Sequence, residues 1–228
     1  MRQFFHPLLR PISSRIYMKV AEQVRQDDRE RRIANETKWA PDLSAKHIQN
    51  LQVMIDRETF LKMLPEQAVV AEIGVAEGDF SQKILSITNP KILHLIDSWA
   101  HDERYTNLRH QVEERFQEQI RSGRVFVHQG FSTNEMAKFS DDYFDWVYID
   151  TGHDYEVTCK ELEVCRKKVK ENGIIAGHDY IIGQWDASIR YGVIEAVHEF
   201  CIKYGWEMIY LTHESHRHLS FALKPFEN

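Results

Sequence analysis

The pattern of apolar and polar positions along the chain changes near residue 68. Beyond it, short β-rich apolar runs alternate with amphipathic helical segments. Seven runs are predicted strands, at residues 68–73, 91–96, 125–128, 144–149, 174–177, 206–211 and 219–223. This alternation predicts a doubly wound, mostly parallel sheet with helices on both faces, a Rossmann-like α/β fold. The last two strands follow one another closely, which predicts an antiparallel hairpin at one edge of this seven-stranded sheet.

The first 65 residues lack this alternation and are predicted to form an N-terminal helical extension. Ser13 or Ser14 is suited to cap a helix that runs through IYMKVAEQVRQDDRERRIANE. Pro41 and Asp42 interrupt that helix, and two shorter helical patterns follow at 46–55 and 58–64. We therefore divide the chain into an extension (1–65) and a domain (66–228). The extension is either a solvated helical surface, a lid, or a contact between copies in a homo-oligomer.

Composition narrows the class of protein. The 228 residues are 43% hydrophobic and 28% charged, which fits one domain with a substantial core. A net charge of −6 disfavours nucleic acid as a partner, because proteins that bind its phosphates usually carry a basic face. No apolar run approaches the roughly 20 residues of a membrane helix, and the N-terminus lacks a continuous signal-peptide core. We expect a cytoplasmic protein whose three cysteines are reduced thiols.

Two predicted strands end in residues that carry chemistry. Asp150 and His153 follow strand 144–149, and His178 and Asp179 follow strand 174–177. Parallel strands joined by one crossover helix end at the same edge of a sheet, so these four side chains are predicted to meet there. Two carboxylates beside two imidazoles suit a divalent cation with an adjacent general base. The alternatives are a helix-capping or loop role for Asp150, an exposed loop position for His153, and a turn formed by His178 and Asp179.

Three strand-to-helix turns at the same edge are predicted to hold a nucleoside. Glycines at the first turn let the backbone approach a ligand, an acid after the second strand accepts hydrogen bonds from a ribose diol, and an aromatic residue after the third stacks on a base. The fingerprint GxGxxG is absent, so a pyrophosphate cradle is disfavoured, and a tight turn without a ligand is the alternative for the glycines. The predicted cofactor-binding residues are Glu72, Gly74, Ala76, Gly78, Asp97, Ser98, Gly130, Phe131, Ser132 and Asp150.

These segments resemble a known family. AEIGVAEGDFSQKIL, LIDSW and YIDTGHDYE…GIIAGHDY are similar to class I S-adenosylmethionine-dependent methyltransferases, over about residues 68–223. More narrowly, they resemble the bacterial sugar and small-molecule O-methyltransferases related to macrocin O-methyltransferase. The resemblance implies that Glu72 and Gly74 line the methionine part of the cofactor, Asp97 holds its ribose, and Phe131 and Ser132 border its adenine.

The resemblance also implies the chemistry of the second group of residues. Members of the group carry Asp-x-x-His after the fourth strand, with the base at the position of His153. A paired acidic or His-Asp step follows their fifth strand, and this sequence has His178 where macrocin-type enzymes often carry an acid. We predict His153, Asp150 and Asp179 as catalytic residues. Asp150, His178 and Asp179 are the predicted ligands of a divalent cation, Mg²⁺ by the resemblance.

The predicted function is therefore metal-assisted transfer of a methyl group to a hydroxyl of a sugar or other small molecule. A bacterial surface-glycan or natural-product pathway rests on the resemblance alone. Alternatives are a metal-independent methyltransferase using His153, a nucleotide-binding oxidoreductase, and a non-catalytic scaffold. The histidines of THESHRH (His213, His216, His218) are more simply a polar hairpin loop than a metal site. His101, Arg104 and Tyr105 are candidates for the acceptor pocket.

Overall fold

The computed structural model describes residues 16, 18–27, 40–100, 107–184, 189–214 and 218–227. The predicted cap residues Ser13 and Ser14, together with His101, Arg104, Tyr105 and His216, lie outside the described residues. Helix α1 (18–27) precedes a short 3-10 turn, Ala45–His47. The other described helices are α2 (Arg57–Leu61), α3 (Asp79–Thr88), α4 (Leu108–Arg115), α5 (Gln117–Arg121), α6 (Ser132–Ala137), α7 (Tyr155–Lys168) and α8 (Val193–Tyr204).

Ten strands occur in the described part of the chain, and eight of them form one sheet. They are β1 (Gln52–Met54), β2 (Val69–Ile73), β3 (Ile92–Asp97), β4 (Val125–Gln129), β5 (Phe144–Ile149), β6 (Val169–Gly177), β7 (Gly183–Gln184), β8 (Ile189–Arg190), β9 (Trp206–Thr212) and β10 (Phe221–Pro225). The sheet has the order β1-β9-β10-β6-β5-β2-β3-β4, and β7 pairs with β8 separately. Strands β2 to β6 are parallel, whereas β10 runs antiparallel to both β6 and β9.

The predicted fold class is confirmed, and the seven predicted strands all occur in the sheet. The helical pattern predicted at 46–55 is wrong, because this segment forms the 3-10 turn and strand β1. Its residues Gln52–Met54 pair in parallel with Tyr210–Thr212 of β9. The β9–β10 hairpin is therefore one strand in from the edge, and the sheet has eight strands. Backbone pairing with β9 outweighs the weak local helical preference of so short a segment.

The core lies on both faces of the sheet, which explains why the central strands read as nearly continuous apolar runs. On one face, α2, α3 and α4 cover Trp146 and Tyr148 of β5. On the other, α6, α7 and α8 cover Val147 and Ile149 of the same strand. The three cysteines are free thiols, as predicted. No helix in the described ranges has the length and apolar character that a membrane span requires.

The register of the sheet determines which residues meet at its edge. Ile73 of β2 pairs with Ile96 of β3 and with Ile149 of β5, and Ile149 pairs with Gly177 of β6. The next residue of each strand therefore lies in one row. Because parallel strands present their carboxyl ends together, this row is where an open α/β sheet binds ligands.

Candidate active site

The row of residues at the carboxyl ends of the strands begins at the turn after β2. This turn requires a glycine, because the backbone after β5 passes close to it. Gly74 has φ +90°, and a Cβ atom on it would lie 1.9 Å from the carbonyl oxygen of Asp150. The Asp150 N–H donates to the carbonyl of Ile73 over 2.7 Å, which holds β5 against this turn. Gly78, with φ +78°, is the residue that precedes α3. The predicted glycine turn thus packs the ends of β2 and β5 together.

Asp97 at the end of β3 fixes the shape of the same turn. Its Oδ2 accepts the N–H groups of Val75 at 2.8 Å and Ala76 at 3.0 Å, and its Oδ1 accepts the N–H of Trp99 at 2.8 Å. An ionised carboxylate has about four acceptor positions, so Asp97 retains capacity for about one further bond, on Oδ1. Its role toward a ribose remains a prediction.

A cavity of about 550 Å³ opens over this part of the row. This volume falls within the range of roughly 300–1,000 Å³ that is usual for small-molecule and cofactor sites. Predicted cofactor-binding residues on its wall are Gly74, Ala76, Asp97, Ser98, Phe131, Ser132 and Asp150. Phe131 is 63% exposed, so its ring is free to stack on a planar ligand. Three of the predicted residues do not line this cavity: Glu72, Gly78 and Gly130.

Glu72 is 1% exposed and lies behind the turn rather than on the cavity wall. The Ser81 hydroxyl of α3 donates to its Oε2. Burial, reinforced by the charges of Asp150 and Asp97, raises the pKa of Glu72 to about 8 despite the hydrogen bond from Ser81. At neutral pH this carboxyl is therefore mainly protonated.

A second buried acid, Glu161 of α7, lies in the cavity wall and is a residue that the sequence did not single out. It accepts a hydrogen bond from the Thr151 hydroxyl, at 2.8 and 2.9 Å to its two oxygens. Burial raises its pKa to about 7. Nothing in the sequence of α7 separates Glu161 from the solvated acids of the same helix, because its distinction is burial against the strand ends.

The predicted reacting residues meet where β5 and β6 end. His153 Nδ1 lies 2.9 Å from Asp179 Oδ2, and His178 Nδ1 lies 3.4 Å from Asp179 Oδ1 and 3.5 Å from Asp150 Oδ1. Asp179 is buried, with φ +60°, while the His153 side chain keeps 35% exposure. The structure therefore brings together all four residues that the sequence placed at this edge.

Their electrostatics follow from these pairings. Burial alone raises the pKa of Asp179, but hydrogen bonds from His153 and His178 outweigh it and hold the pKa well below its usual range. Burial lowers the pKa of His178, but the facing carboxylates of Asp150 and Asp179 prevail and raise it to about 9. Burial also lowers the pKa of His153, but the hydrogen bond with Asp179 and the charges of Asp179 and Asp150 outweigh it, so that the pKa is raised. The cluster thus holds an ionised Asp179 with imidazoles that bind protons more strongly than usual.

The same residues fit a divalent cation by distance. Ligand atoms of Asp150, His178 and Asp179 all lie within 4.8 Å of one another. That span is close to twice a metal–ligand bond of roughly 2.0–2.6 Å. A pocket of about 10 Å³ beside these residues and His153 is near the volume of one water-sized particle. His178 Nε2 is buried without a hydrogen-bond partner in the described part of the chain.

Two further side chains reach the cluster. His218, just before β10, directs Nδ1 to Asp179 Oδ1, because β10 runs antiparallel to β6 and its start lies beside the end of β6. The sequence predicted the pairing of β9 with β10 but not that of β10 with β6, so no signal near His218 marked it. Arg57 of α2 places Nη1 3.4 Å from Asp150 Oδ2, and no sequence signal marked it. His218 lies in the predicted loop between β9 and β10, but its side chain reaches the cluster, whereas His213 is exposed just after the end of β9.

The capping alternative for Asp150 is not what the structure shows. Asp154 caps α7, where its Oδ1 accepts the N–H of Val157 at 3.0 Å. The side chain of Asp150 instead faces His178 and Arg57. Asp150 is therefore free of a helix-capping role and available to the cluster.

Comparison with known proteins agrees with this geometry. Residues 71–180 match the family model of a methyltransferase domain. No curated protein matches the chain at a significant level of sequence similarity. The matched residues 71–180, a little under half of the chain, are thus similar to a methyltransferase domain and contain most of the cavity wall and the four residues of the cluster.

Solved structures share the fold at low sequence identity. The pyocyanin biosynthetic protein PhzM has a TM-score of 0.57 at 12% identity, over 74% of this chain and 54% of PhzM, so the chain spans about half of that protein. A SAM-dependent methyltransferase from Aquifex aeolicus has a TM-score of 0.56 at 14% identity, over 80% and 94% of the two chains. A Streptococcus mutans protein in complex with SAH has a TM-score of 0.54 at 12% identity, and the match covers 76% of this chain and 100% of that protein. These likenesses show that the chain shares its fold with the methyltransferases among these proteins.

Proposed function

We propose that the protein is an S-adenosylmethionine-dependent O-methyltransferase whose acceptor is a hydroxyl of a sugar or another small molecule. The single observation that carries the proposal is the pair His153 Nδ1–Asp179 Oδ2, 2.9 Å apart, because His153 also lines the cavity predicted to hold the cofactor. The macrocin O-methyltransferase-like subfamily belongs to this proposal and rests on the sequence resemblance.

The pair gives His153 the properties of a general base. A carboxylate on Nδ1 fixes the imidazole tautomer, so the lone pair is on Nε2. The depressed pKa of Asp179 keeps that carboxylate ionised, and the raised pKa of His153 makes Nε2 a stronger proton acceptor. General base catalysis of this kind is typically worth about 10²–10⁴-fold in rate.

The proposed reaction is an in-line displacement at the methyl group of the sulfonium. The acceptor oxygen forms a bond to the methyl carbon while the carbon–sulfur bond breaks. The electron pair of the broken bond goes to sulfur, which gives S-adenosylhomocysteine. The hydroxyl proton passes to His153 Nε2. The cofactor is already activated, so the domain mainly positions the hydroxyl and accepts its proton.

A divalent cation is part of the proposal because the donor set fits one. Asp150, His178 and Asp179 would hold it, and it would supply Lewis-acid stabilisation of negative charge on the acceptor oxygen. An imidazole ligand is more typical of manganese, iron or zinc than of Mg²⁺, which prefers oxygen. The experiment below therefore compares Mn²⁺ with Mg²⁺.

The test is calorimetric titration of S-adenosylhomocysteine into chelator-treated protein, then titration of Mn²⁺ and Mg²⁺. We expect cofactor-product binding in the wild type and in Asp179→Ala, and a cation heat that Asp179→Ala loses. Asp150→Ala should lose the cation heat as well, and should lose turnover once an acceptor is found by screening alcohols and glycosides.

Each outcome decides between the alternatives. Cofactor binding without a cation heat favours the metal-independent mechanism with His153 alone. Absence of S-adenosylhomocysteine binding by the folded wild type refutes the methyltransferase proposal and favours the scaffold or oxidoreductase alternatives. Circular dichroism of each variant shows whether a loss reflects the site or the fold.

A further inference from the structure

Arg57 links the segment before the methyltransferase domain to the reacting cluster. It is the first residue of α2, outside residues 71–180, and its side chain is 19% exposed. Its guanidinium lies 4.6 Å from the centre of the Phe80 ring of α3, and Nη1 lies 3.4 Å from Asp150 Oδ2. An arginine stacked on an aromatic ring with its stem covered is held in one direction, so the contact with Asp150 is built into the fold.

The four carboxylate oxygens of the cluster all face nitrogen. Asp150 has His178 at Oδ1 and Arg57 at Oδ2, while Asp179 has His153 at Oδ2 and both His178 and His218 at Oδ1. Arg57 differs from the imidazoles because a guanidinium keeps its charge at every physiological pH. It is therefore a permanent positive charge beside a predicted cation ligand.

We infer that Arg57 is a positioning residue of the reaction centre, which orients the Asp150 carboxylate and lowers the affinity of the Asp150–His178–Asp179 group for divalent cations. This rests on the proposed function for the role of the site, but the effect on cation affinity is measurable without turnover. Arg57 thereby keeps Asp150 in place before the cation binds.

The magnitudes decide the sign of the effect. A cation held by Asp150 would share a carboxylate with the guanidinium, whose Nη1 lies 3.4 Å from Asp150 Oδ2, and at such close range repulsion between like charges remains large even at a high effective dielectric constant. We expect at least a tenfold weaker affinity from that repulsion. The opposing effect, a looser Asp150 side chain once Arg57 is removed, concerns one short side chain and is smaller. Removing the charge should therefore strengthen cation binding.

The experiment measures Mn²⁺ affinity of the full chain by electron paramagnetic resonance of free Mn²⁺ and by calorimetry. Arg57→Gln removes the charge, and Arg57→Met removes it while preserving an apolar stem over Phe80. Arg57→Lys retains the charge. The matched control is Lys83→Gln, because Lys83 joins α3 to Glu58 of α2 over 2.8 Å without contacting Asp150.

We expect Arg57→Gln and Arg57→Met to bind Mn²⁺ about tenfold or more tightly than the wild type. Arg57→Lys and Lys83→Gln should stay within about threefold of the wild type. A merely structural role predicts the opposite sign, since a disordered ligand binds a cation less well. If only Arg57→Gln and Arg57→Met bind Mn²⁺ measurably, that result supports the inference as well.

The inference is overturned if the neutral variants bind Mn²⁺ no more tightly than the wild type, if Lys83→Gln gains as much, or if no variant binds it. If Arg57→Gln fails to fold, Arg57→Met decides. Titration of S-adenosylhomocysteine into the same proteins separates the two proposals. Binding there with unchanged Mn²⁺ affinity refutes the role of Arg57 and leaves the methyltransferase standing. If S-adenosylhomocysteine does not bind, the methyltransferase proposal is refuted, but the comparison of Mn²⁺ affinities still tests the role of Arg57.

Discussion

Replacing Glu72 by glutamine tests whether this buried acid, behind the Gly74 turn, is neutral in the folded protein. Its pKa is raised from 4.5 to about 8, chiefly by burial. The unfolded chain ionises this carboxyl above about pH 4.5, whereas the folded protein does so only above about pH 8. A raised folded pKa favours folding below the unfolded pKa, and this contribution is lost as pH rises toward the folded pKa. The wild type should therefore lose stability from this residue between about pH 4.5 and 8.

The size of that loss follows from the two pKa values. The interval from 4.5 to about 8 corresponds to roughly 4–5 kcal/mol, at about 1.4 kcal/mol per pKa unit. Glu72→Gln keeps an acceptor for the Ser81 hydroxyl but has no proton to lose. Relative to the wild type, the variant should therefore gain several kcal/mol in free energy of unfolding between pH 5 and pH 8.

The assay is urea denaturation of the cofactor-free protein at pH 5, 6, 7 and 8, with the difference between variant and wild type taken at each pH. Glu118→Gln serves as the control, because Glu118 is exposed on α5 and loses little solvation on folding. A difference for Glu72→Gln that stays constant across this range would show that Glu72 is ionised in the folded protein and refute the reasoning.

Three further predictions concern other residues. Gly74→Ala should destabilise by more than about 2 kcal/mol in thermal melting, since its Cβ would overlap the Asp150 carbonyl. Gly123→Ala, at φ +72° with open space around the Cβ, should cost about 1 kcal/mol, and equal costs would contradict the proposed contact. Asp97→Ala should weaken S-adenosylhomocysteine binding at least tenfold by calorimetry, because three backbone N–H groups of the turn lose their acceptor; unchanged affinity would remove Asp97 from the cofactor site. His94 is buried and near His128, which lowers its pKa to about 4. Between about pH 6.5 and 4 His94 is protonated in the unfolded chain but not in the folded protein. As the pH falls through this range, the wild type should therefore lose up to about 3 kcal/mol in free energy of unfolding, which His94→Gln should not lose. Parallel stability curves in urea would refute this.

Residues at the carboxyl ends of the parallel strands were predictable, because such strands are regular. Gly74, Asp97, Asp150 and His178 each follow a strand of apolar residues, and strands in register bring such positions into one row. That these positions lie in one row could therefore be predicted without knowing the sheet order, while their roles in the reaction stay predictions. Their hydrogen bonds could not, since these depend on rotamers and on packing from the opposite face.

Two residues that reach the cluster through other long-range contacts were missed. Arg57 reaches Asp150 only because α2 packs on α3, and His218 reaches Asp179 only because β10 lies beside β6. Neither relation leaves a periodic signal near the residue itself. Strand β1 is a similar case, because its three residues become a strand only through pairing with β9. Predictions failed where long-range contacts decide between weak local preferences.

The two halves of the site therefore depend on different parts of the chain. The half proposed to bind the cofactor is built from turns that directly follow β2 and β3, where Asp97 accepts hydrogen bonds from the N–H groups of Val75 and Trp99. The half proposed to carry the reaction is assembled around Asp179, which has a left-handed backbone and whose carboxylate faces imidazoles from three separate segments. A left-handed backbone is uncommon outside glycine, although aspartate adopts it more readily than most residues, and here the Asp179 carboxylate contacts His153, His178 and His218. These partners lie just after β5, just after β6 and just before β10, so the surroundings of the proposed proton-accepting pair draw on all three strands.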